Sequence, residues 1–65
     1  MKLKELLNVV SKFDWIVVGT PNARCYEGDC EDFDVKNLLD KEVLLVHSSP
    51  DGVLFITVGE WNVKF

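Results

Sequence analysis

No stretch of this chain approaches the roughly 18–20 consecutive apolar residues that a membrane-spanning helix requires, so no such span is expected. A secretion signal is not expected either. Lys2 and Lys4 follow Met1, but Glu5, Asn8, Ser11 and Lys12 interrupt the apolar residues after them, and no signal-peptide core forms. A cytoplasmic protein is the resulting expectation. Positive charge is scarce: seven Lys and Arg stand against eleven Asp and Glu, for a formal net charge of −4. Counterion release from a polyanion needs the opposite balance, so direct binding of nucleic acid is disfavoured and a basic protein surface is the more natural partner. Metal ligands and nucleophiles are also few, with two cysteines and one histidine. The sequence contains no Gly-rich phosphate loop, H-E-x-x-H or nucleophile elbow. These absences lead us to expect no cofactor, no metal and no enzymatic activity.

Hydrophobic residues, by contrast, make up 48% of the 65 residues. A chain this short buries only about 60% of the surface its unfolded form exposes, and a core of this size supplies roughly 3–5 kcal/mol. The composition is that of a folded domain, not of a disordered chain.

Leu3, Leu6, Leu7, Val10 and Phe13 recur with helical spacing, which predicts an amphipathic helix over residues 2–12 whose buried side Val9 widens. The apolar run 15–18, rich in β-branched residues, predicts a first strand, ended by the turn residues Gly19-Thr20-Pro21-Asn22. In residues 23–31, Tyr26, Gly28 and Cys30 share one parity, and Cys25, Glu27, Asp29 and Glu31 the other, as on a half-exposed antiparallel strand. Gly28 marks a bulge or a close backbone approach. Asp34 is a candidate N-cap for a short connecting helix bearing Val35, Leu38 and Leu39. Residues 42–47 and 53–58 then form a hairpin around Ser48-Ser49-Pro50-Asp51-Gly52. Both its strands are apolar on both parities, the pattern of a sheet covered on both faces. Trp61, Val63 and Phe65 alternate with polar residues and could continue that strand or add a fifth. The expected fold is a single α+β domain over residues 1–65, with an amphipathic N-terminal helix on a small antiparallel sheet of four to five strands. Two hairpins joined by a short helix make that sheet.

Three features invite functional readings. Cys25 and Cys30, with His47 as a third donor, fall short of the four ligands of a structural zinc site; as a nucleophile they would need a base and an orienting group that the sequence does not display. Two separate reduced thiols and a surface histidine are the plainer reading. Glu27, Asp29, Glu31, Asp32 and Asp34 crowd into eight residues. They suit a charged strand edge that discourages edge pairing, or a patch recognising a basic protein by mimicking nucleic-acid phosphates. Calcium binding lacks the D-x-[DN]-x-[DN]-G order. The third feature is apolar excess. Trp15, Val17, Leu44, Val46, Trp61, Val63 and Phe65 exceed what one helix can shelter, so a two-fold dimer is expected, with Trp15, Trp61, Val63 and Phe65 at its interface.

The segments Met1-Lys2-Leu3-Lys4-Glu5-Leu6-Leu7, Cys25-Tyr26-Glu27-Gly28-Asp29 and Leu38-Leu39-Asp40-Lys41-Glu42-Val43, with Asp51-Gly52-Val53-Leu54 near the end, resemble a pattern found in short phage and prophage accessory proteins of Gram-positive bacteria. The likeness covers nearly the whole chain. It implies a small accessory protein acting in the host-cell cytoplasm, some of whose kind resemble inhibitors of host defence such as anti-CRISPR proteins. No functional residue carries over, and both cysteines and the segment 61–65 depart from the pattern.

The function expected is therefore non-enzymatic protein binding. A structural component that assembles through its sheet edges is the first alternative. A small nucleic-acid-binding oligomer is the second, and it requires Lys2, Lys4, Lys12 and Arg24 to gather on one face.

Overall fold

Side chains branched at Cβ favour extended backbone, and three of the four strands in the computed structural model, which describes residues 1–59, carry them. These are β1 (Trp15–Thr20), β3 (Glu42–Ser48) and β4 (Leu54–Gly59). β2 (Ala23–Asp29) is more polar and is recruited as the hairpin partner of β1. The four strands lie where the sequence places them, to within about two residues at most ends.

The order across the sheet is β2-β1-β4-β3. β1 pairs antiparallel with β2, and β3 with β4, but β1 and β4 run parallel. The sheet is thus mixed, which corrects the expectation of a wholly antiparallel one. A tight turn dictates antiparallel pairing within each hairpin and says nothing about how two hairpins meet. Because β2 and β3 run in the same direction on opposite edges, residues 30–41 must cross both the length and the width of the sheet. In crossing, they cover one of its faces.

The Pro21–Asn22 turn closes the first hairpin without any positive-φ residue, so it is not one of the primed turns whose twist matches that of paired strands. A register shift between Val18 and Gly19 absorbs the mismatch and leaves Cys25 as the extra residue. The bulge therefore lies at Cys25, three residues before Gly28. In the second hairpin the Gly52 N–H donates to the Ser49 carbonyl at 3.0 Å and the Ser49 N–H to the Val53 carbonyl at 2.9 Å. Pro50 and Asp51 occupy the corner, and Gly52 takes φ +87° where a side chain would be strained.

The helix is shorter than its periodicity promises. α1 spans Leu3–Leu7, too few residues to make the amphipathic helix expected over 2–12. Asn8 and the β-branched pair Val9-Val10 are weak helix formers, and the chain turns away there. Val9 and Phe13, expected on the buried side, are 78% and 71% exposed. The start of α1 is anchored from outside: the Leu3 and Lys4 N–H groups donate to the carbonyls of Lys41 and Leu39, each at 3.0 Å, satisfying two orphan donors of the first turn. Two 3₁₀ turns, Cys30–Asp32 and Lys36–Leu38, replace the expected end of the second strand and the short helix. β2 stops at Asp29 because the Cys30 and Glu31 N–H groups donate to the carbonyls of Asp14 and Lys12. The carbonyl of Asp34, not its side chain, accepts the Lys36 N–H.

Leu3, Ile16, Val18, Leu38, Ile56 and Val58 form the buried core, with Leu6, Leu7, Val10, Tyr26, Cys30, Phe33 and Val35 packed against it. All of it lies on the face spanned by α1 and the crossover. Among the described residues nothing crosses the other face, so within them the covering is one-sided, where the hairpin's composition led us to expect both faces covered.

Candidate functional site

Alternation along each strand decides what the open face carries. Trp15 and Val17 come from β1, Phe55 and Thr57 from β4, and Leu45 and His47 from β3; in register with them, Glu27 lies opposite Val17 and Asp29 opposite Trp15 on β2. Trp15 is 45% exposed and Leu45 59%. Val17, expected among the unsheltered residues, is buried between its neighbours, and Leu44 is half-buried. Toward the β3 edge, His47 and Phe55, cross-strand partners, stack with ring centroids 4.9 Å apart and planes 8° from parallel. This contact places the histidine that the sequence left as a surface residue. A shallow depression of about 360 Å³ opens beside the stack, bounded by Val17, Pro21, Arg24, His47, Phe55 and Thr57.

Glu27 and Asp29 lie along the β2 margin of this face, and Glu31, Asp32 and Asp34 follow on the crossover that covers the opposite face. Glu27 accepts from Arg24 Nη1 at 3.2 Å, and Asp29, Glu31, Asp32 and Asp34 continue the ridge through the first 3₁₀ turn and beyond. Tyr26 binds the ridge to the core. Its ring meets Phe33 edge-on at 5.0 Å, and its hydroxyl donates to the Asp29 carbonyl at 2.7 Å. Burial raises the Tyr26 pKa above its ordinary value, and the negative field of Asp32, Asp34 and Asp29 raises it further. Three of the five carboxylates that the sequence clusters, Asp29, Asp32 and Asp34, thus act on one hydroxyl. β2 is an edge strand, so its charges stand where they discourage edge pairing.

Neither a family model, nor a curated protein, nor a solved structure matches this chain.

Cys25 is exposed at the bulge, whereas Cys30 packs against the core; both are free thiols. Burial, and then the charge of Asp14, raises the Cys30 pKa, the opposite of what an activated thiol needs. Among the described residues no three His, Cys, Asp or Glu side chains are grouped to hold a metal ion. The basic residues do not gather: Lys2 and Lys4 pair with Glu42 and Asp40 beside α1, and Arg24 pairs with Glu27 on the opposite edge of the sheet. Of the residues expected at an oligomer interface, Trp15 lies on the open face, and Trp61, Val63 and Phe65 lie outside the described residues. Sequence reasoning missed Phe55 and Leu45. Their parity was readable, but which parity the crossover would leave bare was not.

Proposed function

We propose that this protein is a non-enzymatic binding module whose open sheet face, with the acidic ridge along its β2 margin, engages a basic protein surface. One observation carries the reading: Trp15, Phe55 and Leu45 share a face that nothing crosses among the described residues, and Glu27 and Asp29 point to the same side. Apolar side chains supply contact area that loses water on docking, and the carboxylates select and steer a partner of opposite charge. The likeness to phage accessory proteins supplies a setting in which the partner is a host defence component with a basic nucleic-acid channel, and the protein its inhibitor. Self-association through exposed apolar surface belongs to the same reading.

The test is a parallel capture from host lysate with three baits: the wild type, Trp15→Ser, and the double substitution Glu27→Ala with Asp29→Ala. The reading expects a protein held by the wild type that is lost with Trp15→Ser and held less tightly, with a flatter salt dependence, by the acid-stripped bait. Equal retention by all three baits overturns it.

A further inference from the structure

The two edges of the sheet differ in a way that bears on self-association. β2 is guarded by its bulge at Cys25 and by Arg24, Glu27 and Asp29, devices that protect edges against pairing. β3 has its own register shift at Leu44, but beyond it Leu45, Val46, His47 and Ser48 include no bulge, acid, lysine or proline. Its first residues are already occupied: the Val43 N–H donates to the Met1 carbonyl at 2.8 Å, and Lys2 bridges antiparallel to Glu42. Among the described residues the free length is therefore 45–48.

Exposure along that length has a particular form. Leu45 stands on the open face opposite Thr57; Val46 stands on the covered face opposite the buried Ile56 and is still 40% exposed. A partner lying on the open face would shelter Leu45 and leave Val46 wet. A strand added beside β3 shelters both. We propose that two copies of this chain join by antiparallel pairing of β3 with its own copy, merging two four-stranded sheets into one. Charge selects a second copy as the occupant. The seam is neutral, and the acidic ridge lies three strand spacings away, about 14 Å, so two molecules of net charge −4 meet with their negative edges outermost. A two-fold axis near Val46 and His47 sets the same run against itself and closes the assembly at two. The open faces stay free, so the inference goes beyond the binding reading and does not depend on it.

Sedimentation velocity over a concentration series tests the seam, using the full chain, Val46→Lys, Leu45→Lys and Trp15→Ser, with circular dichroism to establish that each is folded. A seam this short lies at the weak end of interfaces, so the wild type is expected to pass from monomer to dimer by the hundred-micromolar range, roughly. Either lysine should weaken the dimer about tenfold or more, and Trp15→Ser should leave it unchanged. If Val46→Lys fails to fold, the more exposed Leu45→Lys carries the comparison. A wild type that stays monomeric to about 1 mM overturns the proposal. So do a dimer lost with Trp15→Ser but kept with the lysines, and growth into open-ended polymers. A dimer that survives while lysate capture fails counts against the binding reading alone.

Discussion

Tyr26 is the residue through which the acidic ridge is fastened to the fold. Its hydroxyl reaches the Asp29 carbonyl by passing over Gly28, where an added Cβ would stand 2.8 Å from that oxygen. Gly28→Ala should therefore displace the ring, break its bond and disturb the edge-on contact with Phe33, at a cost of about 1–3 kcal/mol. Urea denaturation measures it. Tyr26→Phe removes only the bond and should cost about 0.5–1.5 kcal/mol, so the ordering of the two variants is itself a check. The thiols give a second residue-scale prediction: iodoacetamide should modify exposed Cys25 well before Cys30, which is partly buried and has a raised pKa. Peptide mass mapping over time reads the order, and equal rates would contradict the placement of Cys30 against the core. The sequence made the core-side parity of Tyr26, Gly28 and Cys30 legible, because alternation is a local property. The position of the bulge was not, since it answers to a twist mismatch at the Pro21–Asn22 turn three residues before it.

At the scale of elements, α1 depends on contacts distant in sequence. Five residues cannot sustain a helix alone, and this one is held by the Leu39 and Lys41 carbonyls and by ion pairs at its start. The Met1 ammonium donates to Glu42 Oε2 at 3.1 Å, and Lys4 Nζ lies 3.0 Å from Asp40 Oδ1. These hydrogen bonds hold the Glu42 and Asp40 carboxyls below the usual carboxylate range. Because folding lowers both pKa values, their stabilisation is complete above the unfolded values and is lost as pH falls through the folded ones. Acidification should therefore loosen Met1 and α1 before the sheet, seen as faster amide exchange at Leu3, Lys4 and Val43 than at Val18. Glu42→Gln should reproduce the effect at neutral pH. The helix was over-read from sequence for a physical reason: the stripe Leu3, Leu6, Leu7, Val10 continues to mark inward-facing positions after the helix has ended, and Asn8 and Val9 end it. The hairpin turn at Ser49–Gly52 was readable because Gly52 supplies the one backbone conformation that turn needs, and Gly52→Ala should cost about 1 kcal/mol by the same denaturation assay.

For the whole molecule, the parallel junction of β1 with β4 decides which surface is available. It sends the crossover over one face, builds the core there, and leaves Trp15, Phe55 and Leu45 on the other. The apolar excess was visible in composition alone, but its location depends on this non-local junction, which no short segment encodes. The account rests on that face being bare in the free protein. Solvent paramagnetic relaxation by a soluble gadolinium chelate, measured by NMR on the monomer at low concentration, tests this most directly. The account predicts that the Trp15 indole and the Leu45 methyls relax far more strongly than buried Val18; shielding of both in the monomer would contradict it.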